Sequence, residues 1–308
     1  MAKSGEKFRK CIQEGHKKMN ALNSSTSNTV PQKDYLKILL DYYYPIYFIS
    51  LFRAHELYSV EPYISLLKDP ILDLGCGDGF ISKLLFGRQL AYGIDPSPDA
   101  IRNADRIKAY GKTFIGDAHN IPLDDCSLGG IFSNCVLEHI PDIEPLIKEI
   151  SRVLKPGAYF IATALSPFYY SLNPVFSYAE KHGLIGVKNK MIKAENALHN
   201  HVSVLYVNEY DEIFRANGMK LEKSRHYITS SEMAMHTCWM GTLSKYIIPY
   251  PAFLTHNGLL LRFLYIKYRQ SHRTRNIQKF YEKFHDICYK KGDPHDSGIG
   301  QILIARKG

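Results

Sequence analysis

The sequence has no C-x-x-C pair. Its six cysteines (Cys11, Cys76, Cys126, Cys135, Cys238 and Cys288) are scattered. That spacing argues against a zinc ribbon or a disulfide framework and fits a reducing compartment, with a cytoplasmic location as the expectation. No apolar run is long enough to span a bilayer. The greasiest stretch, 246–268, is interrupted by Pro249, Pro251, His256, Asn257 and Arg262 and is expected at most to lie against a membrane or an apolar ligand. The first residues are basic and polar with no apolar segment behind them, unlike an ordinary secretory signal. Internal repeats are also absent.

What is present is a chain of 308 residues, 45% hydrophobic and 22% charged, enough to bury a sizeable core. Its formal net charge of +9 favours an acidic contact: nucleic acid, anionic lipid or a phosphorylated small molecule. Residues 1–30 read as a basic, flexible leader. Residues 31–308 read as a single domain, in which 31–60 form two aromatic-rich cap helices broken at Pro45.

From Ile71 the pattern alternates. "ILDL", "LAYGID", "TFIGDA", "GGIFSN" and "AYFIAT" read as strands. "FISKLLF" reads as a helix stopped by Gly87, "PDAIRNADRIKAY" as one capped by Ser97, and "IEPLIKEISRVLK" as one running from Asp142 to Pro156-Gly157. Strands that are nearly continuous apolar runs, separated by helices, predict a doubly wound, mostly parallel α/β sheet. Residues 165–207 lack a clean repeat. "NEYDEIFRANG" reads as a helix capped by Asn208 with Asp211 three residues on, and "KLEKSRHYI" and "GQILIARKG" read as two last strands. Residues 165–207 and 227–299 are therefore expected to be insertions around a core at 70–164.

The first strand runs into "GCGDG", with Gly75, Gly77 and Gly79 at alternate positions, Asp73 before them and Asp78 between them. At the first strand-to-helix turn of an open α/β sheet, such glycines let the backbone approach a flat ligand, and the following helix N-terminus favours an anionic group. The spacing is G-x-G-x-G rather than the G-x-G-x-x-G of dinucleotide sites, which disfavours NAD or FAD.

"LDLGCGDG" resembles motif I of the class I S-adenosylmethionine-dependent methyltransferases, and the chain is closest to their small-molecule, ubiquinone-biosynthesis-like (type 11) branch. "YGIDPS", "GDAHNIPLDDCSLGGIFSNCVLEHI" and "ISRVLKPGAYFIAT" follow in that family's order, with Ala158 where a second glycine is usual. The resemblance implies a Rossmann-like seven-stranded sheet with an antiparallel last strand, and S-adenosylmethionine as cofactor. It also implies that Asp73 and the backbone of Gly75 and Gly77 hold the amino acid moiety, and that Asp95 accepts from the ribose hydroxyls. Asp117 and the Ala118 backbone would face the adenine, Pro96 and Ile94 would line the same pocket, and Asn134 would sit near the methionine end.

Methyl transfer asks the protein to align a nucleophile, exclude water and sometimes remove a proton. Candidate bases or orienting groups are Glu138 and His139, after the fourth strand, and His199 and His201 in the first insertion; each histidine also reads as a structural or surface residue. With no third ligand at recognisable spacing, no metal site is read. The N/D-P-P-Y/F motif of nucleic-acid amino methyltransferases is missing at "SNCVLEH", and Cys135 follows Asn134 rather than proline, so it reads as a core residue. The aromatic, basic-flanked insertions point to a small apolar acceptor (lipid, quinone, isoprenoid or polyketide) and to contact with an anionic membrane. An RNA or protein methyltransferase and a non-catalytic partner subunit remain the alternatives.

Overall fold

A computed structural model describes residues 33–43, 47–229, 278, 281–282 and 297–308. The leader expected over 1–30, the break at Pro45 and most of the insertion expected over 227–299 lie outside the described residues. Those described divide between two compact units, one holding residues up to Tyr58 with 278, 281 and 282, the other holding 59–229 with 297–308.

The first unit contains the two aromatic-rich helices, α1 (Tyr35–Tyr42) and most of α2 (Tyr47–Val60). Asp34 caps α1 by accepting the Lys37 N–H at 3.1 Å, and its other oxygen accepts from the Tyr281 hydroxyl at 2.6 Å. The Tyr58 hydroxyl accepts the first-turn N–H of Tyr35 at 3.0 Å, satisfying a donor that has no partner inside the helix.

The second unit is built on seven strands: β1 (Ile71–Leu74), β2 (Leu90–Asp95), β3 (Tyr110–Ile115), β4 (Leu128–Asn134), β5 (Leu154–Leu165), β6 (Met219–Tyr227) and β7 (Gly300–Lys307). They lie in the order β3-β2-β1-β4-β5-β7-β6. β1 pairs parallel with β2 and β4, and β7 is antiparallel to both β5 and β6. The Rossmann-like sheet with an antiparallel last strand is thus present. Because β2 and β4 flank β1 on opposite sides, strand order reverses at β1, and the crevice for a ligand opens beyond the carboxyl ends of β1 and β4.

Helices α3 (Phe80–Phe86), α4 (Pro98–Arg106) and α5 (Ile143–Val153) follow β1, β2 and β4, and α6 (Phe168–Leu172), α7 (Pro174–Lys181), α8 (Ile185–His199) and α9 (Val207–Ala216) lie between β5 and β6. Alternation along β1 decides what each face meets. Leu72 and Leu74 bury among Ile147, Ile150, Phe160 and Phe214, from α5, β5 and α9. Asp73 faces the opposite side, toward Ser82 of α3. Removing Phe160, which is fully buried and edge-on to Phe214 at 6.1 Å, costs on the order of 3–5 kcal/mol by analogy with other buried aromatics.

Boundaries differ from the sequence reading in several places, among them α4, which ends at Arg106 and leaves Tyr110, read as helical, to open β3. α5 ends at Val153 rather than running through Lys155, because Leu154 already pairs with Leu128 and Pro156 disfavours helix at the residue before it. α9 begins two residues early, with Tyr206 as its cap: the Tyr206 N–H donates to Glu209 at 2.6 Å, so Glu209 does what was expected of Asp211. Residues 168–199, read as lacking a repeat, form three helices, α6 to α8. Asn173 caps α7 by accepting the Val175 N–H at 3.0 Å, and Asn200 closes α8 in the left-handed conformation that asparagine tolerates.

Candidate active site

Sheet register brings the strand ends together. Leu74 pairs with Ile94 and with Ser133, and Asp95 pairs with Ile115, so the chain leaves β1, β2, β3 and β4 along one edge. The glycine turn, Asp95, Asp117 and Asn134 therefore share that edge.

The turn after β1 is anchored to β2. The N–H groups of Gly75 and Cys76 both donate to the Ile94 carbonyl at 2.9 Å, and the Gly77 N–H donates to Oδ2 of Asp95 at 2.9 Å. Oδ1 of Asp95 accepts from the Ser97 N–H at the same distance. Each Asp95 oxygen thus takes one backbone donor, while a carboxylate has about four acceptor sites, so two remain for hydroxyls of a ligand. Gly75 and Gly77 have φ of +71° and +54°, in the left-handed region. A Cβ on Gly75 would lie 2.4 Å from Val136, whereas one on Gly77 would meet nothing within 4 Å. Gly77 therefore faces open space beside Asp95. Burial, with Asp73 and Asp95 nearby, pushes the Cys76 thiol far up, so it stays protonated.

Two details change the expected roles. The start of α3, expected to favour an anion from a ligand, is occupied by the chain's own Asp78, whose Oδ1 accepts the Phe80 N–H at 3.1 Å. Asp73 is 1% exposed, and its carboxylate accepts from the Tyr110 hydroxyl and from Ser82. Burial pushes its pKa up to about 6, against the lowering effect of those two hydrogen bonds. Asp73 thus sits beneath the turn, with its oxygens directed at Tyr110 and Ser82.

Asp117 is exposed, and Ala118 beside it is half-buried. Oδ1 of Asp117 accepts from the His119 N–H at 2.9 Å and meets Nδ1 of His119 at 2.7 Å, which together hold its pKa below the usual carboxylate range. The opposite ring nitrogen, Nε2, meets the Asp142 carbonyl at 2.9 Å. Two acceptors facing both ring nitrogens suit the imidazolium, and the His119 pKa is raised, first by the Asp142 carbonyl and then by Asp117. Asp142, read as the cap of α5, makes no side-chain cap and acts here through its carbonyl.

At the end of β4, the Asn134 side-chain amide donates to Oγ1 of Thr163 at 2.8 Å, and the Cys135 N–H donates to the same oxygen at 3.1 Å. Pro96 is exposed and Ile94 is buried in the core.

The candidate histidines, far apart in sequence, come together. The His201 ring lies 5.4 Å from His139 and 5.5 Å from His199, stacked on the latter. The segment is held in place by Val202 and Ser203, whose N–H groups donate to the Glu138 carbonyl, and by Nδ1 of His139 at 3.1 Å from the Asn200 carbonyl. Glu195 lies 3.6 Å from His199 and accepts from the Tyr169 hydroxyl at 2.8 Å. Burial and the two neighbouring histidines push the His201 pKa down to about 4, so this ring is neutral at pH 7. Among the described residues, no group of three or more His, Cys, Asp or Glu side chains converges as a metal would require.

Sequence reasoning did not single out Tyr110, His119, Thr163 or Glu195. Only His119 carried a local signal, since an aspartate commonly bonds the backbone two residues on.

The family profile described as "Methyltransferase domain" matches residues 72–162, which span β1 to most of β5. That segment is thus similar to a methyltransferase domain, for which S-adenosylmethionine is the cofactor.

Among relatives, a fatty-acid O-methyltransferase of Mycolicibacterium smegmatis is 30% identical over 154 residues, 44% of this chain and 56% of that protein. A malonyl-[acyl-carrier protein] O-methyltransferase of Serratia marcescens is 27% identical over 99 residues, 32% of this chain and 39% of that protein. The matches thus span between about two fifths and just over half of these relatives' lengths. A solved phosphoethanolamine N-methyltransferase 2 of Haemonchus contortus in complex with S-adenosyl-L-methionine is similar with a TM-score of 0.49 at 15% identity, covering 92% of this chain and 61% of that one.

Proposed function

We propose that this chain is an S-adenosylmethionine-dependent methyltransferase acting on a small, lipid-like acceptor, with an acyl carboxylate oxygen as the favoured nucleophile. The observation that carries the donor half is Asp95, anchored by Gly77 and Ser97 with acceptor sites to spare, beside the open space at Gly77. These residues fit the cofactor: Asp95 would accept from the ribose hydroxyls, Asp117 and the Ala118 backbone would meet the adenine, and Asn134 would border the methionine end. With the N–H groups of Gly75, Cys76 and Gly77 engaged by β2, the turn would meet an ammonium through carbonyl oxygens. Asp73 would act from below, by fixing the turn through Tyr110 and Ser82.

Held there, the cofactor would supply a sulfonium methyl group to an acceptor lone pair, with sulfur keeping the electrons of the C–S bond. The chain's own work is alignment and exclusion of water. The acceptor half of the proposal draws on the printed names of two relatives, both O-methyltransferases of acyl compounds. The histidine cluster agrees with it. His201, at about 4, is a weak base, and a carboxylate acceptor is already ionised and needs no base. His139, His199 and His201 would then orient the acceptor through hydrogen bonds.

The test is transfer of labelled methyl groups to long-chain fatty acids, matched fatty alcohols, bulk RNA and protein. Transfer to the acid and not to the alcohol supports the reading. Transfer confined to RNA or protein overturns it.

A further inference from the structure

Helix α8 has two sides with different surroundings. On one side, Glu195 and Asn196 accept from the hydroxyls of Tyr169 and Tyr170 at 2.8 and 2.7 Å, and His199 stacks on His201. Next to that side runs an apolar stripe, Val187, Met191, Ala194 and Leu198, spaced four, three and four residues apart. At about 100° per residue these four fall within an arc of about 60°. The stripe is open to solvent: Val187 is 49% and Leu198 66% exposed, Ala194 is exposed and Met191 half-buried. None of the fifteen residues of α8 is buried.

The charges around the stripe have one sign. Lys190 and Lys193 are exposed and flank it on the side away from Glu195, and Lys181, at the end of α7, is exposed as well. Lys188 is matched by Glu180 at 2.6 Å, and Glu195 is turned to Tyr169 and His199. Tyr178 on α7 is 62% exposed, and Leu184, just before α8, is about half exposed. A second copy of this surface would bring like charges together. An anionic bilayer would neutralise them while taking up the stripe, as in helices that lie in the membrane plane with lysines beside an apolar face. Among the described residues no helix is long and apolar enough to cross a membrane.

We propose that α8 and the end of α7 dock the protein on an anionic lipid surface. The purpose, delivery of a membrane-resident acceptor to the histidine cluster on the adjoining side of the same helix, rests on the lipid-like acceptor proposed above. The docking itself does not.

The test is co-sedimentation of the full chain with vesicles of phosphatidylcholine alone or with added phosphatidylglycerol. Binding is expected only with the anionic lipid and is expected to weaken as salt rises. Lys190→Glu with Lys193→Glu should reduce partitioning roughly tenfold or more, and Leu198→Ser with Val187→Ser should also reduce it, while cofactor affinity measured by calorimetry stays at the wild-type value. Equal binding by wild type and both variants, or no binding by wild type, overturns the proposal. So does a dimer in solution that Leu198→Ser converts to monomer. Docking without fatty-acid methylation would sink the acceptor reading alone, and methylation without docking would sink this one alone.

Discussion

The backbone N–H of Gly77 donates to Oδ2 of Asp95 at 2.9 Å, tying the turn after β1 to the carboxyl end of β2. One carboxylate thereby shapes the loop and remains available to a ligand. Loss of Asp95 should therefore be felt twice, in the order of the turn and in the ligand contact.

Asp95→Asn puts an amide donor where both oxygens now accept backbone N–H groups. Hydrogen bonds to a charged group contribute about 1.5–3 kcal/mol each, so S-adenosylmethionine affinity should fall by roughly 10- to 100-fold, and further in Asp95→Ala. Calorimetric titration checks this. Wild-type affinity in either variant would contradict the assignment.

Gly75→Ala and Gly77→Ala should separate folding from binding. Both force a side chain into the left-handed region, at a cost of about 1–2 kcal/mol. Only Gly75→Ala also drives a Cβ to 2.4 Å from Val136, so it should lower the melting temperature more. Gly77→Ala should melt closer to wild type and lose cofactor affinity, because its methyl would enter the open space beside Asp95. Thermal melts with and without S-adenosylmethionine read both effects.

Asp73 gives a dependence on pH with a definite sign. Its pKa is raised from 3.8 to about 6, so between those values the native state holds a proton that the unfolded chain has released, and stability falls as pH rises. The whole effect is about 3 kcal/mol, at 1.36 kcal/mol per pKa unit. Asp73→Asn, which still accepts from Tyr110, should remove this slope. Tyr110→Phe takes away a hydrogen bond to the ionised form and should steepen it. Urea unfolding at pH 4 and pH 7 measures the difference; parallel curves for wild type and Asp73→Asn would refute it.

His119 should add a second dependence of stability on pH. Its pKa is raised, so the contribution of its imidazolium is complete below the ordinary value of 6.5 and is lost as pH rises through the higher native value. The Asp117 pKa is lowered, so its contribution is present above 3.8 and is lost only as pH falls through its depressed native value. Between these limits the pair's contribution to stability should be flat, then decline toward alkaline pH. In His119→Gln that decline, read by urea unfolding across the range, should be absent; an unchanged pH profile in the variant would count against the contacts of His119 with Asp117 and the Asp142 carbonyl.

Much of the site was legible because its chemistry is local. Three alternating glycines leave one kind of turn, and positive φ at Gly75, Gly77 and Gly79 follows from their having no Cβ. Acidic residues at the ends of β2 and β3 fall at the ligand edge because parallel strands end together. The alternation of strands and helices and the caps at Ser97 and Gly87 were likewise within reach of pattern and spacing, whereas the antiparallel β7 was expected only from the family resemblance. Helices α6 to α8 were not, because their apolar residues are not sorted onto one buried face: Val187 and Leu198 point outward.

What the sequence determined by itself was the turn and its acidic neighbours, and the methyl donor followed from the family that they resemble. Tertiary structure decided which way each acid points and which histidines meet. Asp73 turned out to be buried because Tyr110, 37 residues later, reaches it from β3 across β2. His139 met His201 because the Glu138 carbonyl binds the chain at Val202 and Ser203. Such pairings are set by strand order and loop packing over long sequence separations, and no local spacing encodes them.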